Sequence, residues 1–314
     1  MTKKAWNVCP ACGNEIIDGT QAIVLSDRRK GLAGCWQLIE CNFCGIISMI
    51  PMPTDEQLAN YYTVYSKDEM VDLSQKIGSR HPKLRKLFHR LSGDVDPRDF
   101  VQVSKNLRVL DYGCGHATYL SDFHNRGIAI SGAEIAEYVV QACQKKGLDV
   151  QKVEDVNQIP FANGEFDIVY LMQVFEHLRN PNEFMQELNR VLKTGGMLYI
   201  AVPNKKSIWR KVFGTNWVSG WFAPFHLFHY DRNTLVPIAR RHGFEPIKVW
   251  SSTPESWFRL NLKAFLFPDE NSLDWKPSWL DMRLVQYVIM VVLRGIELFV
   301  RERDCLVMKL EKRG

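Results

Sequence analysis

The chain has 314 residues, 46% hydrophobic and 24% charged, which is enough for one large domain or two. These proportions exclude disordered, collagen-like and low-complexity chains. The net charge of +5 is too small to indicate a nucleic-acid partner by itself. No apolar segment follows the basic residues at the amino terminus, so no secretion signal is predicted and we expect a cytoplasmic protein.

Four of the eight cysteines form two matching C-x-x-C-G motifs, Cys9/Cys12 and Cys41/Cys44. Two such turns supply four thiolates, the usual ligand set of a structural zinc ion. The apolar segments 22–25 and 36–39, on either side of a basic tip at 28–30, predict a hairpin between the motifs. We therefore predict a zinc ribbon over residues 1–50, with two pairs of buried free thiols as the alternative.

Residues 51–105 are polar and are predicted to form a helical cap and linker. Thr54 and Gln57 have the spacing of a capping box, and the helix that they open carries Tyr61, Tyr62 and Tyr65. A second, amphipathic helix is predicted near 82–91.

Strand and helix signals alternate from Leu107 onwards, which predicts an α/β fold with a doubly wound, Rossmann-like sheet. Seven strands are predicted, at 107–111, 128–134, 149–152, 166–171, 197–202, 245–250 and 305–310. Asn180 is predicted to cap a helix that ends at Gly195-Gly196. The core is thus assigned to residues 106–252 together with 304–314.

The remaining segment, 253–303, is predicted to be a helical insertion. The apolar run Leu284–Val300 is interrupted by Arg294 and Glu297, so no transmembrane segment is predicted. A capping box at Ser278 and Asp281 opens a helix that is apolar on nearly every face and should be buried. We expect a lid or a homodimer contact, with peripheral membrane contact as the weaker alternative.

The first strand runs into Asp111-Tyr-Gly113-Cys-Gly115, where glycines allow a ligand to approach the backbone. Thr118 replaces the third glycine of the G-x-G-x-x-G pattern, which disfavours NAD. The acidic Asp111 suits a ligand that carries an ammonium and a sulfonium group. Glu134, at the end of the second strand, is placed to accept ribose hydroxyls, a feature shared by NAD and S-adenosylmethionine.

Three downstream motifs occur in a fixed order: L/I-P-F-x(4)-F-D at 159–167, Glu176-His177-Leu178, and Gly195-Gly196. This pattern over 107–250 resembles the class I S-adenosylmethionine-dependent methyltransferases, specifically the group related to the ubiquinone O-methyltransferases. The amino-terminal part is similar to that of some sugar and natural-product methyltransferases. The resemblance implies S-adenosylmethionine as cofactor, and it implies the following cofactor-binding residues: Asp111, Gly113, Gly115, Glu134, Ile135, Asp155, Val156, Met172, Gln173 and Tyr62.

Methyl transfer to a hydroxyl is helped by a general base, and histidine is the usual one near neutral pH. The candidates are His177, His226 and His229, with Glu176 orienting one of them. An aromatic segment after the fifth strand is predicted to form a substrate lid or a dimer surface; it contains Trp209, Phe213, Trp217, Trp221, Phe222, Phe225 and Phe228.

We expect a small-molecule acceptor such as a sugar, a glycan or a natural-product intermediate. An RNA methyltransferase that binds its substrate through the ribbon is the first alternative. It is disfavoured because strand four ends in Leu-Met-Gln-Val and not in a [DNS]-P-P-[YF] loop. A non-catalytic cofactor-binding module is the second alternative.

Overall fold

The computed structural model describes residues 8–16, 21–67, 82–274 and 276–314. The ribbon strands are β1 (Ile23–Leu25), β2 (Trp36–Glu40) and β3 (Ile47–Met49). β1 and β2 are antiparallel, with Ile23 opposite Leu38, so the predicted hairpin is confirmed. β3 pairs with β2 and was not predicted.

Between the ribbon and the core, the described residues form the helices α1 (Asp55–Lys67), α2 (Pro82–Ser92) and α3 (Pro97–Phe100). The predicted capping box of α1 is present. The backbone N–H of Thr54 donates to Gln57 Oε1 at 2.9 Å, and the N–H of Gln57 donates to Thr54 Oγ1 at 3.2 Å.

The core continues with β4 (Arg108–Tyr112), α4 (Thr118–Asn125), β5 (Ala129–Glu134), α5 (Glu137–Gln144), β6 (Val150–Lys152), β7 (Phe166–Met172), α6 (Pro181–Val191), β8 (Leu192–Pro203), α7 (Ile208–Phe213), α8 (Val218–Trp221), β9 (Phe228–His229), α9 (Arg232–Arg241), β10 (Phe244–Ser252), α10 (Glu255–Leu266), α11 (Arg283–Glu297) and β11 (Cys305–Lys312). The large sheet has the order β10-β11-β8-β7-β4-β5-β6. β11 is antiparallel to both neighbours, and the other pairs from β8 to β6 are parallel.

This order confirms the predicted seven-stranded α/β sheet. From β4 the chain first builds outward through β5 and β6, and it then returns to β7 on the other side of β4. Ligands bind such sheets at the carboxyl ends of the strands where this reversal occurs. The fold therefore places the ligand site at the ends of β4, β5 and β7.

The predicted start of α6 after Asn180 is confirmed, but its predicted end at Gly195-Gly196 is wrong. The helix ends at Val191, and Gly195-Gly196 lies inside β8, which begins at Leu192 and pairs with Phe166. Asn180 occupies the predicted N-cap position, but its side chain accepts no hydrogen bond from the helix backbone; its amide Nδ2 donates to Asn157 Oδ1 at 3.1 Å.

Within this chain the insertion helix is covered on one face only, so its expected role as a lid, a homodimer contact or a peripheral membrane contact stays a prediction. The capping box of Ser278 and Asp281 closes a short 3₁₀ turn, and α11 begins after it at Arg283. Ile289 and Leu293 are buried, whereas the opposite face of the helix is exposed. Within the described residues, no helix has the length and apolar character required to cross a membrane.

The ribbon sheet extends into the core, because β3 pairs with β9 and sets Ile47 opposite His229. Lys205, which is almost fully buried, reinforces this join. Its ammonium group lies 2.5 Å from Glu40 Oε1 of the ribbon and also contacts the Gly45 carbonyl. The cysteine-bearing segment is thus fixed to the part of the chain that forms the large sheet.

Candidate active site and metal centre

The four predicted zinc ligands come together. The Sγ atoms of Cys9 and Cys44 are 3.8 Å apart, those of Cys12 and Cys41 are 3.7 Å apart, and all four lie within 4.8 Å of one another. A tetrahedral zinc with Zn–S bonds of about 2.3 Å requires S–S separations of about 3.8 Å. The pKa of Cys9 is lowered to about 5, mainly by its hydrogen bond with the Cys44 thiol and also by backbone hydrogen bonds. Burial opposes this shift. The geometry fits a thiolate-bound zinc ion.

The predicted glycine loop follows β4. Gly113 has a φ of +72°, and a Cβ added there would lie 2.5 Å from Val174 Cγ2, so the position requires glycine. The N–H groups of Gly113 and Cys114 both donate to the Ala133 carbonyl, at 2.8 and 3.2 Å. An added Cβ on Gly115 would meet no atom within 4 Å, which leaves open space at that turn for a ligand.

Two carboxylates flank this loop. Asp111 is buried, and its Oδ2 atom has no hydrogen-bond partner among the described residues. Burial raises the pKa of Asp111 to about 7. The neighbouring Tyr170 hydroxyl partly opposes this shift, and a buried acid with an oxygen left open in this way is suited to a cationic ligand group.

The carboxylate of Glu134 accepts three backbone N–H groups. Oε2 accepts from Gly115 at 2.9 Å, and Oε1 accepts from Ile135 and Ala136 at 2.8 and 3.1 Å. A carboxylate offers about four acceptor positions, so one is left for a ligand hydroxyl. This geometry fits the predicted contact between Glu134 and a ribose. Glu134 also has a second role, because its carboxylate holds the backbone of the glycine loop at Gly115.

The predicted adenine-side residues lie at the ends of β5 and β6. Ile135 is exposed, and Val156 is half-buried. Asp155 is exposed, and its Oδ1 accepts the N–H of Asn157 at 2.9 Å, which forms a local turn. Asp155 also lines an open groove together with Lys152 and Gln158.

Met172 and Gln173 end β7. Met172 packs against the cluster that contains Ala201. Gln173 has a φ of +58°, donates from its amide to Cys305 Sγ at 3.3 Å, and has an unpartnered Oε1 among the described residues. Tyr62 belongs to α1, but its side chain lies outside the described part of the chain. The ring of its neighbour Tyr61 meets Trp36 edge-on at 6.0 Å.

The structure brings Glu176, His177 and His226 together, with one potential ligand atom from each within 4.8 Å of the others. The two imidazole rings lie edge to face, 4.8 Å apart. His177 Nδ1 lies 2.9 Å from the Phe225 carbonyl, and His226 Nδ1 lies 2.8 Å from the Gly220 carbonyl. This donor set could serve in proton transfer or hold a divalent ion.

Burial controls the protonation of this cluster. It lowers the pKa of His177 to about 4 and that of His226 well below its usual value, so both imidazoles are neutral at pH 7. Burial also raises the pKa of Glu176 to about 8. Neither oxygen of Glu176 has a hydrogen-bond partner among the described residues, and its Oε1 is 3.8 Å from His226 Nε2. Backbone carbonyls contact Nδ1 of both histidines, and an orienting role of Glu176 toward Nε2 of His226 stays a prediction.

His229 lies in β9, within the ribbon sheet. It is 1% exposed, its Nε2 lies 3.3 Å from the Trp221 carbonyl, and burial lowers its pKa to about 4. Its ring centroid is 6.2 Å from that of His226. His177 is the more accessible of these histidines, because it is only partly buried.

Sequence reasoning missed Arg29, whose only signal was the basic tip of the hairpin. Its guanidinium lies 3.9 Å from the centre of the Phe222 ring and pairs with Asp274 at 3.2 Å. The positive charge of Arg29 also contributes to the lowered pKa of His177. The ribbon tip therefore reaches the wall of the histidine cluster.

The aromatic segment does not form an exposed dimer surface. Each of the seven predicted side chains, from Trp209 to Phe228, is at most 7% exposed. Phe222 stacks on Phe225 at 4.7 Å and meets His226 edge-on at 5.2 Å. These rings enclose the histidines from the side of α8.

Comparisons with known proteins agree with this geometry. Residues 77–249 match the methyltransferase domain family. The ubiquinone biosynthesis O-methyltransferase of Dinoroseobacter shibae is 30% identical over 169 residues, which cover 49% of this chain and 67% of that protein. The protein of the same description from Maricaulis maris is 29% identical over 134 residues, 40% of this chain and 53% of that protein. The chain thus matches only about half the length of the Maricaulis relative.

Among solved structures, the [4+2]-cyclase SpnF aligns with a TM-score of 0.51 at 19% identity, over 83% of this chain and 97% of its own. At that identity the likeness concerns the fold alone. The matched family, the sheet order and the glycine loop agree, and the chain belongs to the methyltransferase domain family of class I S-adenosylmethionine-dependent methyltransferases.

Proposed function

We propose that the protein transfers a methyl group from S-adenosylmethionine to a hydroxyl group of a small-molecule acceptor. One contact carries the proposal. Val174, which packs against Gly113 of the glycine loop, lies two residues before Glu176 and three before His177. The predicted cofactor loop and the histidine cluster therefore share one wall.

The residues around the loop fit the cofactor. Gly113 and Gly115 would lie against its methionine part, with the unpartnered Oδ2 of Asp111 available to a cationic group. Glu134 would accept a ribose hydroxyl, and Asp155 would lie near the adenine. When bound, the cofactor supplies an electrophilic methyl group.

We assign the general base to His177, with His226 as its neighbour. A carbonyl oxygen can only accept, so the contact with Phe225 requires a proton on Nδ1 of neutral His177. The lone pair is then on Nε2, which takes the proton from the acceptor hydroxyl. The lowered pKa keeps this base neutral at pH 7.

A small acceptor fits the surroundings of the histidines better than a nucleic acid does. The wall is made of buried rings, and the basic tip of the ribbon is already occupied. Arg28 donates to the carbonyls of Ala264 and Phe267, and Arg29 pairs with Asp274. These cations are therefore engaged within the chain and are poorly placed to bind a phosphate backbone.

We further propose that Cys9, Cys12, Cys41 and Cys44 bind one structural zinc ion. Four thiolates complete a tetrahedral shell and leave no position for substrate. The ion would hold the ribbon whose tip places Arg29 on Phe222. The proposal keeps the predicted division into the ribbon (1–50), the cap (51–105), the core (106–252 with 304–314) and the insertion (253–303).

The test is methyl incorporation from labelled S-adenosylmethionine into two substrate pools, a cellular small-molecule extract and bulk RNA. We expect label in a small molecule, with a rate that depends on His177. Label in RNA with salt-sensitive binding would assign the activity to a nucleic acid instead. Absence of label in both pools, with intact cofactor binding, would favour a non-catalytic module.

A further inference from the structure

The insertion carries an extended apolar surface that the active site does not use. On α11, apolar side chains three, four, seven and eight residues apart lie on one exposed face: Leu284, Tyr287, Val288, Val291 and Val292. The face continues past the helix into Leu298, which is 80% exposed, and Phe299, which is 89% exposed. A contiguous surface of this kind indicates an interaction site.

The two charged residues in the carboxyl-terminal half of α11, Arg294 and Glu297, are turned away from this face. Glu297 is buried and pairs with Arg294 at 2.5 Å, and Arg294 also donates to the Thr253 carbonyl. Between Leu284 and Phe299 the exposed side chains are therefore uncharged. An exposed basic residue flanks this stretch at each end, Arg283 before it and Arg301 after it.

Helix α2 lies beside α11 and extends the surface. It exposes Leu87, Phe88 and Leu91, each between 44% and 54%. Its sequence contains four Lys or Arg residues and no acidic residue. The combined surface thus joins an uncharged apolar face to a basic amphipathic helix.

We infer that α2 and α11 together form a docking surface for an anionic lipid bilayer. An amphipathic helix that lies in a membrane interface has apolar residues on one face and Lys or Arg residues around it. Trp and Tyr side chains are enriched at the boundary between headgroups and water. Trp279, which is 54% exposed just before α11, and Tyr287, which is 55% exposed within it, satisfy this pattern.

A second copy of the chain fits this surface less well than a lipid does. In a two-fold dimer the same patch meets itself, so the basic helix α2 would face either α2 or α11 of the second copy. Acidic residues that could neutralise this charge are absent from α2, and the acidic residue of α11 is buried. An anionic headgroup layer supplies both the countercharge and the apolar environment.

The surface lies near the candidate active site. Val95, in the segment that follows α2, packs against the same buried cluster as Met172 at the end of β7. Docking through α2 and α11 would therefore bring the carboxyl edge of the sheet close to the bilayer. This inference concerns binding only and holds whether or not methyl transfer is observed.

The experiment is flotation of the full chain with phosphatidylcholine vesicles, with and without phosphatidylglycerol. We expect about tenfold more protein to float with the anionic vesicles than with phosphatidylcholine alone. Binding to the anionic vesicles should weaken as salt is added. The variant V291E/F299E should bind the anionic vesicles at least about tenfold more weakly than the wild type does. R90E should bind anionic and neutral vesicles to the same extent. I247E, which changes an exposed apolar residue of β10 to the same acid, should bind like the wild type.

Thermal unfolding would verify that each variant is folded. Flotation of folded V291E/F299E at the wild-type level would overturn the inference, as would failure of the wild type to float with either vesicle. A concentration-dependent dimer that V291E/F299E abolishes, without vesicle binding, would assign the surface to a second copy and would also overturn it.

Discussion

The carboxylate of Glu134 accepts the backbone N–H of Gly115 at 2.9 Å, across 19 residues of sequence. The side chain expected to bind ribose therefore also holds the loop expected to contact the methionine part. Loss of this one carboxylate should affect the cofactor site in two ways, through a lost ligand contact and through a less ordered glycine loop.

We predict that E134A weakens binding of S-adenosylhomocysteine by about 1.5–3 kcal/mol, which is roughly 10- to 150-fold, because a hydrogen-bonding carboxylate is removed. Calorimetry measures this difference. E154A removes an exposed acid nearby and should bind as the wild type does. Wild-type affinity in folded E134A would refute the ribose role.

The close approach of Gly113 to Val174 gives a second prediction. G113A should lose about 1–3 kcal/mol of unfolding free energy, because the new Cβ would meet Val174 at a φ of +72°. G164A is the matched control, since it has a φ of +59° and open space around the Cβ. Urea unfolding should show a larger loss for G113A, and V174A in the same chain should restore part of it. Equal losses for the two glycine variants would show that the contact is not tight.

The third prediction concerns the base. For a hydroxyl acceptor, H177A or H226A should lower the single-turnover rate by ~10²–10⁴ and leave cofactor affinity nearly unchanged. H124A, on the exposed end of α4, is the control. Because the pKa of His177 is lowered to about 4, the wild-type rate should stay constant from pH 8 to 6. Unchanged rates in both variants would indicate catalysis by proximity alone or a different base.

The fourth prediction concerns pH and stability. Burial raises the pKa of Glu176 from 4.5 to about 8, so the folded state binds more protons than the unfolded state between these values. The contribution of Glu176 to stability is therefore complete below pH 4.5 and is lost as the pH rises through 8. Glu176→Gln removes this dependence. We expect its unfolding free energy relative to wild type to increase between pH 6 and pH 9, and a constant difference would contradict the buried, unpaired carboxyl.

The fifth prediction concerns the metal. Protein prepared without chelator should contain about one zinc ion per chain, and C41S or C44S should lower this content. C35S, which changes an exposed cysteine outside the cluster, should retain it. Wild-type protein without zinc would contradict the assignment.

The sequence predicted the parts of this molecule that follow from local patterns. The hairpin, the alternation of strands and helices and the glycine turn each have a period or a motif within a few residues. Pairing of β3 with β9 was not predictable in this way, because two short segments about 180 residues apart carry no pattern that names the partner. The exposure of one face of α11 was also not predicted, because the spacing of apolar residues does not show which neighbouring element covers each side of a helix.

The candidate site divides similarly. Gly113 and Glu134 were identified from their positions at strand ends, and the structure places both at the expected edge. The orientation of His177 depends on a carbonyl 48 residues away, at Phe225, which no local motif contains. Arg29 contacts Phe222 because the β1–β2 hairpin extends to the aromatic segment. The length of the hairpin follows from the sequence, but the residues that its tip contacts do not.

The β3–β9 pairing also determines how this protein can be dissected. A core made by cutting after Ile50 would leave β9 as an open sheet edge and remove Glu40 and Gly45, both contacts of the buried Lys205 ammonium. Such a fragment would not be a smaller version of the enzyme. A chimaera that exchanges ribbons between relatives would have to carry the β9 segment along with the cysteines, because β3 and β9 belong to one sheet.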